Sequence, residues 1–476
     1  MIQRPSDQTG PSAAPTVPAF PCAEFPTETR HARLLGIYPQ RQEGRWMHRV
    51  RIPGGILSPD HWRALASIAR EFTPATPLHL TTRQDIELHD LSDKDVPAMQ
   101  RSLAQAGLTS LASGGDTLRN IVVCPCAAGG TSHVPDLLPL GRAIEAVLTA
   151  YEGIFTLPRK FKISLGCQRG CGRPFIHDLS FVAIQRGDRW GLQAIGAGSL
   201  GAKPATGIVL FDWIAPTDAL PLSLAAVKLF AQHGDRQNRT KARLRHVRQR
   251  MGDSAFLAAL GQEFQAVKTE RAWPDIELRV SAAAGTPRIL TFQNGDISPD
   301  AADGLATLAE LPGLSVRISN DHRVHLMAPD ERAVDDQLHR LPALAANARS
   351  QANVVACPGT RWCPRGLADT NHLADTIRAA LAGEAVDGLH IAVSGCPNGC
   401  AANAVADIGI IGGRSSADGQ PVEKYALLSG GGRGATDALA QPVAAGLLAD
   451  QTLMEVIQLA KALLNASPGR HESSRE

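Results

Sequence analysis

The sequence predicts an α+β protein built as a pseudo-twofold repeat. Each copy combines a small α+β module with a larger, cysteine-bearing α/β module. Similar segments recur in the two halves, strand-like and helix-like patterns alternate within each copy, and paired cysteines occur at corresponding places. The length of 476 residues also exceeds what one ordinary hydrophobic core supports, so we expect more than one domain.

The small module is marked by a helix-opening motif and an alternating run. Gly55-Ile-Leu-Ser-Pro-Asp60 recurs as Gly295-Asp-Ile-Ser-Pro-Asp300, and serine, proline and aspartate in this order favour a helix N-terminus. The alternating segment 78–90 matches 316–328 in the same way. Each copy therefore predicts a strand, a capped helix and a further strand.

The larger module is marked by its cysteines. Leu165-Gly-Cys167-Gln-Arg-Gly-Cys171 matches Ser394-Gly-Cys396-Pro-Asn-Gly-Cys400, and an aspartate follows eleven residues after the first cysteine of each pair. A Cys-Pro dipeptide precedes each pair, at Cys124 and at Cys357. These matches predict the following organisation: a disordered tail over 1–22, small modules over 23–110 and 270–348, and larger modules over 111–265 and 349–468.

Composition places the chain among ordinary globular proteins. Hydrophobic residues make up 44% and charged residues 20%, and the net charge is only +2. Such a balance gives no general affinity for nucleic acid or membrane surfaces. The N-terminus lacks an export-type apolar segment, and no later stretch predicts a membrane span, so we expect a cytoplasmic protein.

Four cysteines of the second copy form the most specific pattern in the chain. They occur as a C-x5-C pair, Cys357 and Cys363, and a C-x3-C pair, Cys396 and Cys400. Thiolates from two separated loops favour an iron-sulfur cluster over disulfides, and zinc usually takes shorter spacings. Structural zinc and buried, unligated cysteines are the alternatives.

This pattern, with its SGCPNGCA segment, resembles the cluster signature of the siroheme-containing sulfite and nitrite reductases. The resemblance implies that Cys357, Cys363, Cys396 and Cys400 bind a 4Fe-4S cluster, and that Cys400 also bridges the cluster to the siroheme iron. It further implies ferredoxin-like small modules and larger modules that bind siroheme, the cluster and the substrate.

The first copy keeps basic residues that the second copy lacks. The segments TTRQ (81–84), GDTLRN (115–120) and LPRKFK (157–162) are similar, in order and spacing, to the family's three substrate-face motifs. The resemblance implies that Arg83, Arg119, Lys160 and Lys162 surround a small anion on the siroheme iron. On a strand the two lysines would project to one face, and a solvated strand edge is the alternative explanation.

Further residues are implied to contact the cofactor. Thr82, Gln84 and Asn120 lie within the same motifs, and the basic run over 236–243 resembles the family's siroheme-proximal helix. That likeness points to Arg239 and Lys241, although a charged, solvated helical face would look the same.

The first copy has its own four cysteines, Cys124, Cys126, Cys167 and Cys171. Their first pair is C-x-C, which departs from the C-x5-C spacing of the second copy. We therefore expect a vestige or a redox-active pair here, with a second cluster as the alternative.

The resemblance predicts a siroheme enzyme that performs a six-electron reduction, with sulfite to sulfide as the main hypothesis. Nitrite reduction to ammonia is the nearest alternative. A precorrin-3B synthase-like enzyme and a non-catalytic electron-transfer or cluster-sensing protein are further alternatives, and the four retained basic residues argue against both. No flavin or nicotinamide motif is present, so a separate ferredoxin or flavoprotein is the expected electron donor.

Overall fold

The structure is a computed structural model, and it describes residues 17–128, 134–280, 287–328, 330–348, 352–384, 386, 388–417 and 420–465. In this part of the chain no helix is long and apolar enough to cross a membrane. Most of the expected tail, residues 1–16, lies outside these ranges. Residues 17–22 do not follow the prediction of disorder, because Cys22 packs against the hydrophobic core and its N–H donates to Gln100 Oε1 at 2.9 Å.

The strands run as follows: β1 Ile37–Pro39, β2 Trp46–Val50, β3 Leu78–Leu80, β4 Ile86–Leu91, β5 Val122–Val123, β6 Ile163–Gly166, β7 Leu179–Arg186, β8 Arg189–Gly196, β9 Ile208–Ile214, β10 Arg288–Thr291, β11 Asp296–Ile297, β12 Ser315–Ile318, β13 Arg323–Met327, β14 Asn353–Ala356, β15 His390–Ser394, β16 Ile408–Ala417, β17 Gln420–Ser429 and β18 Gln441–Leu447.

The α-helices run as follows: α1 Thr29–Leu34, α2 Pro59–Phe72, α3 Asp95–Gln105, α4 Leu138–Thr149, α5 Ala219–His233, α6 Leu244–Met251, α7 Asp253–Glu270, α8 Pro299–Ala309, α9 Glu331–His339, α10 Pro342–Ala345, α11 Gly359–Trp362, α12 Thr370–Ala380 and α13 Ala449–Asn465.

The two helix openings form as the repeat predicts. Ser58 caps α2 by accepting a hydrogen bond from His61 N, and Ser298 caps α8 by accepting one from Ala301 N. Proline at the first helical position already has the backbone angle that the helix requires. The capped helix and the strands around it are therefore present in both copies.

The two small modules share one core. Their sheets have the corresponding strand orders β2-β4-β3 and β10-β13-β12. Each module also contributes a strand or a bridge residue that pairs with the sheet of the other module. Strand β11 pairs with β3, while Ile56 of the first module forms a bridge with Arg317 on β12. Helices α2 and α8 pack together, and one hydrophobic cluster includes both. The small modules are therefore two halves of a single unit related by the repeat.

The two larger modules have the same sheet topology. Their strand orders are β5-β6-β7-β8-β9 and β14-β15-β16-β17-β18, with two parallel pairings followed by two antiparallel pairings in each. Each has its own hydrophobic core. Because the first two strands of each sheet are parallel, the loops at their carboxyl ends lie side by side. Both groups of cysteines belong to these loops.

Candidate active site

The second-copy cysteines begin directly after two neighbouring strands. Cys357 follows β14 and Cys396 follows β15 with one residue between, and these strands are adjacent and parallel. The N–H of Gly395 donates to the sulfur of Cys357 at 3.2 Å, which joins the two loops. The strand order thus brings together the two pairs that the sequence separates.

Cys363 is placed by contacts with the first small module. It directly follows α11, and the ring of the preceding Trp362 stacks on His89 with centroids 3.8 Å apart. The N–H of Arg41 also donates to the carbonyl of Trp362 at 2.8 Å. The C-x5-C loop is therefore held between two modules.

Cys400 is the exposed member of the four. The surrounding protein nevertheless desolvates its thiol enough to raise the pKa of Cys400, while Lys160 acts in the opposite direction. Cys396 and Cys363 lie near enough to raise this pKa further. Thr82 Oγ1 donates to the carbonyl of Cys400 at 3.2 Å, as a contact from the TTRQ turn. The other three predicted ligands and the two predicted lysines, Lys160 and Lys162, therefore lie near Cys400.

Lys160 and Lys162 lie in the segment just before β6. The sequence predicted both lysines on a strand, but β6 begins only at Ile163. Between them Phe161 is buried on the opposite side, with only an isolated bridge to Leu118. Among the described residues, neither ammonium group has a hydrogen bond or an ion pair. Desolvation, with the charges of Arg243 and Arg119, lowers the pKa of Lys160 to about 7. Desolvation also lowers the pKa of Lys162 well below its ordinary value.

Arg83 and Arg119 complete the set of four predicted cations. Arg83 donates to the carbonyl of Asn120 and lies 3.2 Å from His177 Nε2, and Arg119 donates to the carbonyl of Ser113. The Nε atoms of both arginines are buried without a partner in the described structure. Desolvation lowers the pKa of Arg83 to about 9 and that of Arg119 to about 10, because these charges have little compensation.

The motif residues around Arg83 have different surroundings. Asn120 Nδ2 donates to the carbonyls of Ile52 at 2.8 Å and Arg83 at 3.0 Å, so Asn120 positions the arginine. The side-chain Nε2 of Gln84 donates to the carbonyls of Val123 at 2.8 Å and Ile318 at 2.7 Å. Its Oε1 accepts a hydrogen bond from Val123 N. These contacts do not support the prediction that the Gln84 side chain binds the cofactor, since they occupy its whole amide in joining three modules.

The basic run over 236–243 is not the helix that the sequence resemblance implied. It contains a short 3-10 turn, Arg239–Lys241, and α6 begins only at Leu244. Arg239 is exposed and pairs with Asp116 at 2.8 Å, and Lys241 is also exposed. Arg83, Lys160 and Lys162 are half-buried and Arg119 is buried, so the structure does not bring the exposed Arg239 and Lys241 into the same environment. Their contact with siroheme stays a prediction.

Three buried residues of the site, Arg243, Asp178 and His177, were missed as site residues. Arg243 reaches Asp178 at 2.7 Å, and both are among the charges that influence the lysines or Arg83. His177 contacts Arg83, and desolvation lowers the pKa of His177 well below its ordinary value. The spacing of Asp178 after Cys167 and the last arginine of the basic run were the available sequence signals.

Comparison with known proteins now identifies the family. The model described as the nitrite and sulphite reductase 4Fe-4S domain matches residues 114–268 and 348–468, which is more than half of the chain. The chain belongs to this family. The model of the nitrite/sulfite reductase ferredoxin-like half domain also matches, over residues 38–106.

Relatives from several organisms agree with this assignment. The chain is 30% identical to a ferredoxin-nitrite reductase of Synechococcus elongatus, with 82% of the chain and 80% of the relative covered. It is 28% identical to the assimilatory ferredoxin-dependent nitrite reductase of Haloferax mediterranei (90% and 81% covered). It is 29% identical to the sulfite reductase [NADPH] hemoprotein beta-component of Acidithiobacillus ferrooxidans (77% and 74% covered).

A solved structure confirms the fold class. The Mycobacterium tuberculosis NirA protein superposes with a TM-score of 0.75 at 22% identity, with 90% of this chain and 85% of that chain covered. The predicted mixed α+β fold and the membership of an oxidoreductase family that binds siroheme and a 4Fe-4S cluster are both confirmed.

The residues of the site fit these cofactors. Cys357 and Cys396 follow adjacent parallel strands, so the two loops can bring four thiolates together, and a 4Fe-4S cluster takes four thiolates that each bind a different iron. The partnerless Nε atoms of Arg83, Arg119 and Arg245 and the two free lysines provide positive charge, within the described part of the chain, for a tetrapyrrole that carries carboxylates.

Proposed function

We propose that this protein reduces nitrite to ammonia at a siroheme coupled to a 4Fe-4S cluster. The observation that carries the proposal is that Lys160 and Lys162, which lack partners in the described structure, lie near Cys400 and the other cysteines of its quartet. The nitrite reductases among the relatives favour nitrite over sulfite. The sulfite hypothesis therefore takes second place and stays a prediction.

The proposed ligands are Cys357, Cys363, Cys396 and Cys400, with Cys400 as the bridge to the siroheme iron. When bound, the cofactors supply six electrons in single steps and a binding position for the substrate nitrogen. Conversion of nitrite to ammonium consumes six electrons and eight protons and releases two water molecules.

The protein contributes charge, hydrogen bonds and protons. Lys162 Nζ and the guanidinium of Arg83 would neutralise the anion, and its oxygens would accept their hydrogen bonds. Because the pKa of Lys160 is lowered to about 7, its ammonium can release a proton near neutrality and regain one from solvent. Lys160 is therefore the proposed proton donor for oxygens that leave as water.

Thr82, Asn120 and Arg119 would hold this arrangement in place. Thr82 links the substrate side to the main chain of Cys400, and Asn120 fixes Arg83. Siroheme carboxylates would pair with the buried guanidinium of Arg119 and with the exposed side chains of Arg239 and Lys241. Reduced ferredoxin is the proposed electron donor, as the names of the nitrite reductase relatives state for those proteins.

One observation favours sulfite as the second candidate. Sulfite is partly a dianion at neutral pH, whereas nitrite is a monoanion, and a site with both Lys160 and Lys162 gains more from a doubly charged ligand.

The test is steady-state reduction of both anions with electrochemically reduced methyl viologen, with ammonium and sulfide measured directly. We expect the wild-type protein to have the higher kcat/KM on nitrite. Lys162→Asn should lower sulfite kcat/KM by about ten- to a hundredfold, since a charge-assisted hydrogen bond to a dianion is lost. Nitrite kcat/KM should fall by less, because the asparagine amide can still donate a hydrogen bond and a monoanion depends less on the missing charge. Lys94→Asn, at the exposed start of α3, is the control. A higher wild-type kcat/KM on sulfite than on nitrite would show that sulfite is the substrate and that the nitrite proposal is wrong.

A further inference from the structure

A second group of four cysteines lies at the carboxyl edge of the other large sheet. Cys124 directly follows β5 and Cys167 directly follows β6, and these two strands are adjacent and parallel. The N–H of Cys124 donates to the carbonyl of Leu165 at 2.9 Å, as the N–H of Cys357 does to Val393 at 3.0 Å. The position thus corresponds to that of the second-copy quartet.

The sulfur atoms of this group are much closer together. Cys124 and Cys167 are 3.5 Å apart, Cys167 and Cys171 are 3.8 Å apart, and Cys171 and Cys126 are 4.0 Å apart, measured between Sγ atoms. All four sulfurs lie within 4.8 Å of one another. A Zn–S bond of about 2.3 Å places tetrahedral thiolates roughly 3.8 Å apart, which is the middle of the measured range.

These distances fit neither disulfides nor a second cubane cluster. A disulfide brings two sulfurs to about 2.05 Å, and all four thiols are free. In a 4Fe-4S cluster each thiolate binds a different iron, so the sulfurs must lie further apart than ligands of a single ion do. The close spacing here follows from C-x-C, because Cys126 lies in the tight turn Pro125–Ala128, where its N–H donates to Cys124 Sγ at 3.4 Å.

We propose that Cys124, Cys126, Cys167 and Cys171 bind a single zinc ion with tetrahedral geometry. Four sulfur ligands in a tetrahedron suit zinc or iron, and such sites bind Zn²⁺ more tightly than Fe²⁺. Cys124 and Cys167 are buried and Cys126 and Cys171 are half-buried, so all four positions are taken by protein, as in structural zinc sites. The proposal therefore differs from the sequence prediction of a vestige or a redox-active pair, because the four cysteines form a complete ligand set.

The ion would fix the loop that leads to the active site. Gly170, within the C-x3-C segment, and Gly172, directly after it, have positive φ angles of 91° and 76°, which let the chain turn tightly around Cys171. The same loop continues to His177, whose ring lies 3.0 Å from the carbonyl of Arg173 and contacts Arg83 on its other side. Zinc would thus be a structural ion that positions His177 and, through it, Arg83.

The first measurement uses the purified wild-type holoprotein. Elemental analysis should give about one zinc per chain beside about five irons, four from one cluster and one from siroheme. Zinc K-edge X-ray absorption should show four sulfur neighbours at about 2.3 Å. About six irons without zinc would indicate a mononuclear iron site, and about nine would indicate a second cluster. Either result, or the absence of any additional metal, would overturn the proposal.

Variants locate the ion. Cys126→Ser and Cys171→Ser should each lower the zinc content from about one to near zero while iron stays at about five. Cys22→Ser removes a buried cysteine outside both quartets and should keep the zinc. Zinc retained in both site variants would place the ion elsewhere and refute the assignment. The absorption measurement on wild-type protein decides the coordination even if a variant does not fold.

Discussion

Removing the carboxylate of Asp178 should destabilise the protein strongly and specifically. This side chain is fully buried and accepts from Arg243 at 2.7 Å and from the N–H of Lys162 at 2.8 Å. Asp178→Asn keeps the shape but leaves Arg243, with a side-chain exposure of only 10%, without its counter-charge. Breaking such a buried pair costs about 3 to 5 kcal/mol of unfolding free energy.

The repeat provides a matched control. Asp407 accepts from the N–H of His390 at 2.8 Å and pairs with Arg433, in the same arrangement as Asp178. Arg433, however, is 41% exposed, so water can solvate it when the carboxylate is lost. We expect Asp407→Asn to cost about 1 kcal/mol, after discounting the bond for solvent.

The assay is denaturant unfolding followed by circular dichroism, with the siroheme content of the three proteins matched by absorbance. Asp178→Asn should lower the midpoint by at least twice as much as Asp407→Asn. It should also weaken anion reduction, since Lys162 depends on Asp178 for the position of its backbone. Equal midpoint shifts, or an unchanged midpoint for Asp178→Asn, would refute the argument from burial.

Three further results are expected. Cys400→Ser should remove the magnetic coupling between cluster and siroheme and most of the turnover, and unaltered spectra and rates would show that Cys400 is not the bridge. Gln84→Leu should lower the unfolding free energy by about 2 to 4 kcal/mol, because buried backbone groups including those of Val123 lose their partner, whereas exposed Gln185→Leu should change it little. His48 is buried with its pKa lowered to about 3, below the unfolded value, so its stabilising effect is complete above pH 6.5 and is lost as the pH falls. Between pH 7.5 and 5.5 wild type should lose about 1 kcal/mol more than His48→Gln, and parallel losses would contradict the assignment.

The sequence by itself determined the repeat, and it predicted cluster binding by the second-copy cysteines. Identical serine caps, matched alternating runs and the two Cys-Pro dipeptides are local features, and local backbone preferences act over a few residues. The motifs that contain Arg83 and Lys162 are also short local segments. The sequence could therefore predict the group of basic residues formed by Arg83, Arg119, Lys160 and Lys162. The choice between nitrite and sulfite did not follow from these motifs, because both reactions use the same cofactors and a small anion.

Only the tertiary structure decided which of several similar residues enter the site. Arg239 and Arg243 lie four residues apart in one basic run, yet the first is on the surface and the second is buried against Asp178. Gln84 lies beside Arg83 in the sequence but points into the junction of three modules. The spacing of the first-copy cysteines likewise left open whether their sulfurs converge on a single ion. Burial and convergence depend on strand order and on contacts between distant segments, and the spacing of residues along the chain does not encode them locally.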